Sequence, residues 1–317
     1  MSPPELSVVV PAYNEAENLS GFVRKLDQVL SPVVSSYEVV IVDDGSSDAT
    51  EECLAELADK DPKICPVQLS RNFGKEAALA AGLSVASGEC LIFIDADLQH
   101  PLEIIPQMLE KWRQGYDVVN GVKKQRATES RVYRWFAARF NETMTRLVGN
   151  DMAGASDYKL IDRQVAEVLL ECPERNRFFR GLVSWVGFRV SNIEFDVQER
   201  EQGESKWSLL DLMRYSIRNV VSFSSFPLRL VAYIGFITIL LGSLLLAQSL
   251  FKYMMGTAAV GFTTVIATQI LLGGMVLFAL GVIAIYLSHI YEEQKARPMF
   301  IIRRPRLNQQ ADNNEPL

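Results

Sequence analysis

Cysteine is scarce in this chain of 317 residues: four are present, Cys53, Cys65, Cys90 and Cys172, and no two have C-x-x-C spacing. That disfavours a disulfide scaffold, a zinc-ribbon domain and a thioredoxin-like redox centre, and it fits a reducing cytosolic compartment. Net positive charge is missing as well. The formal charge is −6, which argues against a general nucleic-acid binder. The first residues, Met1 to Glu5, hold neither a basic stretch nor an apolar run, so no signal peptide is read there. No internal repeat is visible.

A fourth scarcity is local. Between Arg229 and Lys252 lie 22 residues without a charged side chain, Leu230 to Phe251. Tyr253 to Tyr291 again lacks Asp, Glu, Lys and Arg, and is most apolar over Val265 to Leu287. About 20 apolar residues suffice for a helix to cross a bilayer, so the chain is expected to carry a two-helix hairpin over residues 226–291. The charge balance changes at the same point. Residues 1–225 carry 25 Lys and Arg against 34 Asp and Glu, whereas residues 226–317 carry 7 against 4. Arg214, Arg218 and Arg229 precede the first span, and Lys295, Arg297, Arg303, Arg304 and Arg306 follow the second. The positive-inside rule puts both flanks in the cytoplasm, with the link around Lys252 to Thr264 outside. Residues 292–317 are expected to be a basic, polar tail whose last dozen residues are disordered.

The first 225 residues read as a soluble α/β domain. Apolar runs predict strands at Leu6–Pro11, Glu38–Val42, Val67–Leu69, Leu91–Ile94, Asp117–Asn120 and Arg189–Phe195. Helical periodicity predicts Ala16–Leu30, Ala49–Asp59, Lys75–Ala86 and Leu102–Gln114, with Ser47 or Asp48 capping the second. Strands alternating with helices of this length indicate βαβ units and a mostly parallel, Rossmann-like sheet. Two further stretches, 130–147 and 208–223, place apolar residues on one helical face with arginines at its margins. Either stripe alone would also suit a protein core, but beside a membrane anchor both are expected to be interface helices lying in the headgroup plane.

In such sheets ligands gather beyond the carboxyl ends of the strands. Here the strands run into Pro11-Ala12-Tyr13-Asn14-Glu15, Asp43-Asp44-Gly45-Ser46 and Asp95-Ala96-Asp97-Leu98-Gln99. Carboxylates crowded on one edge are costly unless a cation is held there. A divalent ion carrying a polyphosphate meets that requirement, because Mg²⁺ and Mn²⁺ favour oxygen ligands shared between carboxylates and substrate phosphates. His100 precedes Pro101 at a helix start, where capping or packing accounts for it better than metal ligation.

Taken in order, Val8–Leu19 (VVVPAYNEAENL), Val39–Thr50 (VVIVDDGSSDAT), Arg71–Lys75 (RNFGK) and Asp95–Pro101 (DADLQHP) resemble glycosyltransferase family 2, whose fold is GT-A. Ser156–Leu160 and the run from Gln198 to Trp207 narrow the resemblance to the polyprenyl-phosphate glycosyltransferases. The last segment holds an insertion, Gly203 to Lys206, where the processive polysaccharide synthases carry Q-x-x-R-W. That argues against cellulose or hyaluronan synthesis.

The resemblance implies a set of roles. Pro11, Tyr13, Glu15, Asp44, Lys75 and Asp95 would hold the donor. Asp95, Asp97 and Gln99 would hold Mg²⁺ or Mn²⁺. Asp157 matches the position assigned as catalytic base, and Asp97 is the second catalytic candidate; the alternative for Asp157 is a helix cap before Tyr158–Ile161. Apart from the resemblance, an acceptor phosphate needs cations near the membrane, and Arg126, Arg131, Arg200 and Lys206 are the candidates. The expected reaction is inverting transfer of a hexose, UDP-glucose being the favoured donor and undecaprenyl phosphate the favoured acceptor, at a bacterial inner membrane. Two other readings stay open: a non-catalytic membrane module binding nucleotide sugar or lipid phosphate, and a glycosyltransferase with a hydroxyl acceptor. Gly242, Gly273, Gly274 and Gly281 in the spans permit close helix packing, so a homo-oligomer is expected.

Overall fold

The computed structural model describes residues 3–123, 155–172, 174, 179–195, 226–256 and 261–303. It divides into two compact units: Met1–Lys206 together with Pro298–Leu317, and Trp207–Arg297.

Among the described residues of the first unit, seven strands form one sheet: β1 (Leu6–Ala12), β2 (Tyr37–Asp43), β3 (Ile64–Gln68), β4 (Cys90–Phe93), β5 (Val118–Lys123), β6 (Ala155–Asp162) and β7 (Val190–Phe195), in the order β3-β2-β1-β4-β6-β5-β7. All pairings are parallel except the two made by β6, which runs antiparallel to β4 and β5. The architecture is therefore the mostly parallel α/β sheet expected from the pattern. β1 and β2 are mostly apolar because helices cover both faces of the sheet, and Leu6, Val8, Val9 and Val10 are wholly buried.

The helices of this unit are α1 (Ala16–Leu30), α2 (Thr50–Lys60), α3 (Lys75–Val85), α4 (Ile105–Arg113), α5 (Arg163–Glu171) and α6 (Phe179–Trp185); a 3₁₀ turn, Leu102–Ile104, leads into α4. α1 turns Leu19, Phe22, Leu26 and Leu30 inward at helical spacing. α3 lies on β1 and β2, and its alanine-rich sequence lets it approach closely. A Cβ added at Gly82 would stand 2.3 Å from Val9 Cγ1.

Three elements in this unit have no counterpart in the sequence pattern: β6, α5 and α6. β6 reads Ala-Ser-Asp-Tyr-Lys-Leu-Ile-Asp and buries Asp157 and Lys159 alongside Tyr158 and Leu160. Buried charges erase the alternation that marks a strand, so Asp157 is a strand residue and not a helix cap. α6 is too short for a periodic signal.

The segment after the second apolar helix pairs with the sheet, which the sequence pattern does not indicate. Ile302 bridges Leu69 antiparallel just past β3, Ser70 N–H donates to the Ile301 carbonyl (2.9 Å) and Arg303 N–H to that of Gln68 (2.7 Å). Pro298 to Arg303 thus covers part of the outer edge of the sheet. An uncovered edge strand presents unpaired N–H and C=O groups, which supplies the physical reason for such a strap.

The second unit holds α7 (Phe226–Met254) and α8 (Phe262–Gln294). Leu228–Ser249 and Thr268–Gln294 are long and apolar enough to cross a membrane, and their large side chains, Phe236, Ile239, Leu277 and Phe278 among them, are exposed. An exposed apolar surface of that extent fits lipid as its solvent. Thr238 Oγ1 on α7 approaches Met275 Sδ on α8 at 3.2 Å. The stretches 130–147 and 208–223 lie outside the described residues.

Candidate active site

The register of the parallel strands sets the site. Ala12 stands opposite Asp43, and Val9 opposite Phe93, so β1, β2 and β4 release their following loops at one edge. Antiparallel β6 brings its beginning there. Phe93 pairs with Lys159, and continuing that register by two residues sets Asp95 beside Asp157.

The loops enclose a cavity of about 330 Å³ lined by Pro11, Ala12, Tyr13, Glu15, Asp44, Asn72, Gly74, Lys75, Ala78, Asp95, Ala96 and Asp97. Every donor-side residue named from the sequence is in that lining. Gln99 is adjacent: its backbone N–H donates to Asp97 Oδ1 (3.1 Å), and its buried Nε2 has no hydrogen-bond partner among the described residues. Arg126, Arg131, Arg200 and Lys206 lie outside the described residues.

Asp44 shapes the cavity wall. Its two carboxylate oxygens accept from the backbone N–H groups of Phe73 (2.7 Å) and Gly74 (2.8 Å), which moors the loop leading into α3. Burial raises its pKa in spite of those two donors. Gly45 is needed beside it, because its φ is +67° and a Cβ there would fall 2.4 Å from the Arg71 carbonyl carbon. Asn14 and Leu98 also sit in the left-handed region, at φ 57° and 56°. Asn tolerates that conformation, whereas Leu98 pays a strain cost next to the carboxylate pair. Asn14 links two loops by accepting from Ser47 N–H (2.9 Å) while its own N–H donates to Ser46 Oγ (2.9 Å).

Electrostatically the site is a patchwork. Glu15 has its pKa raised by burial, with Asp97 and Asp95 adding to the effect. Lys75 bridges the acidic groups: its Nζ is 2.7 Å from Asp95 Oδ1, 2.8 Å from Asp95 Oδ2 and 2.8 Å from Asp157 Oδ2. Burial opposes that charge, but the two carboxylates outweigh it and raise the ammonium's pKa. On its other side Asp157 takes a bidentate pair from Arg180, Nε to Oδ1 at 2.5 Å and Nη2 to Oδ2 at 2.9 Å. Burial would raise the Asp157 pKa, yet Arg180 and Lys75 pull it far below the usual carboxylate range.

Three residues here escape the sequence reading. Arg180 lies on α6, Glu76 on α3 and Lys159 on β6. Glu76 accepts from Phe179 N–H at the start of α6 (2.9 Å), and its pKa is pushed up to about 7, chiefly by burial. Lys159, fully buried, is brought down to about 8 by the same cause. Their only sequence signal is their charge in otherwise apolar stretches, which does not distinguish them from surface residues. His100 is buried beside the site, with ring centroids 5.0 Å from Tyr158 and 5.7 Å from Phe195, and Nδ1 4.0 Å from Asp95 Oδ2.

A divalent ion is compatible with this chemistry. Asp95 and Asp97 offer oxygen donors at the cavity wall, and among the described residues no group of three His, Cys, Asp or Glu converges on one point. Two protein carboxylates, with the remaining positions left to phosphate and water, match the way Mg²⁺ is commonly bound.

An α/β sheet whose strand ends bring a D-x-D carboxylate pair into a nucleotide-sized cavity defines a GT-A glycosyltransferase. The sequence profile of glycosyl transferase family 2 matches residues 7–170, and the chain belongs to that family. Among its relatives, an uncharacterized glycosyltransferase of Synechocystis is 39% identical over 94% of both chains. The bactoprenol glucosyl transferase of Shigella phage SfV is 37% identical, over 94% of this chain and 98% of the relative. A prophage bactoprenol glucosyl transferase homolog of Escherichia coli is 36% identical, over 95% and 99%.

Proposed function

We infer that the protein transfers glucose from UDP-glucose to a polyprenyl phosphate, undecaprenyl phosphate being favoured, at the cytoplasmic face of a bacterial inner membrane. The observation that carries the reading is the convergence of Glu15, Asp44, Lys75, Asp95 and Asp97 on one cavity. The near full-length likeness to bactoprenol glucosyl transferases supports the acceptor, and the two long apolar helices support the membrane.

Chemically, an oxygen of the acceptor phosphate attacks the anomeric carbon from the face opposite the diphosphate. The carbon–oxygen bond to the diphosphate breaks, the nucleoside diphosphate leaves with the electron pair, and the configuration inverts. Asp95 and Asp97, with Gln99, would hold Mg²⁺ or Mn²⁺, whose charge offsets the negative charge developing on the leaving group. Pro11, Tyr13, Glu15 and Asp44 would seat the nucleoside. Arg126, Arg131, Arg200 and Lys206 would bind the acceptor phosphate, arginine as a bidentate fork and lysine as a point charge.

A phosphate monoester has a second pKa near 6 and is mostly dianionic at pH 7. It needs no strong base to attack. Asp157 makes a poor one, since two cations hold it ionised and occupy its oxygens. Its two oxygens instead pair with Lys75 and Arg180.

The test is incubation of purified protein and Mg²⁺ with radiolabelled UDP-sugars and polyprenyl phosphate. Label should pass from UDP-glucose to the lipid phosphate. Transfer to a glycerolipid alone, or to no acceptor, would discard the reading.

A further inference from the structure

Among the described residues that line the cavity Lys75 is the one cation, and it is fully engaged. Its ammonium has three protons and stands within 2.8 Å of three carboxylate oxygens, two on Asp95 and one on Asp157. To meet a diphosphate it must let at least one of them go. The Asp157 side chain is only 10% exposed, and a buried carboxylate stripped of its last cation is strongly disfavoured. Were Lys75 its sole partner, the pair would be locked.

Arg180 removes that lock. It donates to both oxygens of Asp157, with two charge-assisted bonds that do not involve Lys75. The start of α6 is held by neighbours from two elements and by a bond within the helix. Glu76 of α3 accepts the N–H of Phe179, the residue before Arg180 (2.9 Å). The Phe179 ring packs on Phe93 of β4 at 4.5 Å, and Ser184 Oγ, one turn along α6, donates to the Arg180 carbonyl (3.0 Å). Lys75 is freer, with 42% of its side chain exposed against 34% for Arg180.

We propose that Arg180 is a positioning residue for donor binding: by compensating Asp157 permanently, it frees Lys75 to turn from Asp157 to the diphosphate of the sugar donor. The inference rests on the nucleotide-sugar reading above and extends it. Arg180 is not among the residues that line the cavity. It acts through Asp157 on Lys75, so its effect is confined to ligands that carry a diphosphate.

The experiment measures UDP and uridine affinities by calorimetry or competition, with Mg²⁺ present, on the full-length protein. Arg180→Gln should weaken UDP binding on the order of 10- to 100-fold, the scale of a lost interaction with a charged group. Uridine lacks the diphosphate, and its affinity should move by less than about 2-fold on the same scale. Adding Asp157→Asn to Arg180→Gln should restore UDP binding to within roughly 3-fold of wild type, because the stranded charge is gone. If Arg180→Gln does not fold, Arg180→Lys serves: it keeps the charge but loses the fork, and should show a smaller loss with the same selectivity for UDP.

Equal losses for UDP and uridine would mean a merely structural role and overturn the proposal, as would unchanged UDP binding or no rescue by Asp157→Asn. A wild-type protein that binds no UDP would instead overturn the donor reading, and this inference with it.

Discussion

Carboxylates in this chain differ in what surrounds them, and their neighbours decide what each can do. Asp97 lines the cavity and accepts only a backbone N–H among the contacts described here, so its charge is available to a metal. Asp97→Asn should abolish transfer and weaken Mg²⁺-dependent UDP binding while leaving circular dichroism and melting temperature unchanged. Wild-type turnover in excess chelator would refute metal dependence. Glu76 does a different job. It is half-buried among Lys75 of its own helix, Asp157 and Lys159 of β6 and Arg180 of α6, and its pKa, pushed up to about 7, lies above the ordinary 4.5. Between those values the folded chain keeps a proton that the unfolded chain has released. Stability from this group is therefore full below pH 4.5 and lost as the pH rises to about 7. Glu76→Gln keeps an acceptor for Phe179 N–H without the charge. It should stabilise the protein at pH 8 by up to about 3 kcal/mol, and the gain should vanish near pH 5 in denaturation curves. A variant equally destabilised at both values would overturn the raised pKa.

Among the elements, the strap formed by residues 298–303 is the least expected. It follows α8 by three residues, yet it bonds to the end of β3 and to Ser70, directly before the Arg71–Lys75 loop that walls the cavity. Arg303 also reaches Glu51 on α2, Nη1 to Oε2 at 3.4 Å, but both partners are more than half exposed, so that pair adds little. The two backbone bonds matter more. A chain ending after Arg303 should melt like wild type, whereas one ending after Arg297 should lose about 1–3 kcal/mol. It should also bind UDP more weakly, since Ser70 loses its anchor. Indistinguishable melting of the two truncations would show that the strap contributes nothing to this edge.

The molecule as a whole joins a net-acidic catalytic unit to two apolar helices whose flanks are basic. If both flanks face the cytoplasm, a reporter at the N-terminus and one fused after Leu317 should fall on the same side of the membrane. A cysteine placed in the link near Met255 should react with an impermeant reagent from outside, and one placed at Asn308 should not. Outside labelling at Asn308 would reverse the orientation and remove the cytoplasmic nucleotide sugar from reach. The same experiment constrains the lipid reading, because donor and acceptor phosphate must meet on one face.

Much of this was legible in the chain alone, for physical reasons that can be traced to particular residues. Two charge-free stretches fit nothing in water as single exposed helices, and α7 and α8 follow from them. The runs through Val8–Val10, Val39–Val42 and Leu91–Phe93 are too apolar for any place but a sheet covered on both faces, and in a parallel sheet the residues after them must share an edge. That is why Glu15, Asp44, Asp95 and Asp97 could be grouped before any coordinates. The tertiary structure alone decided the rest. β6 hides in the pattern because Asp157 and Lys159 are buried polar groups, and burial of a charge is legible only once its partners are known. Arg180 stands 23 residues from Asp157 in sequence and Glu76 stands 103 from Phe179, separations that carry no local signal. Pairing across such distances is selected by the whole fold, which alone decides whether Asp157 is a free base or a held anion.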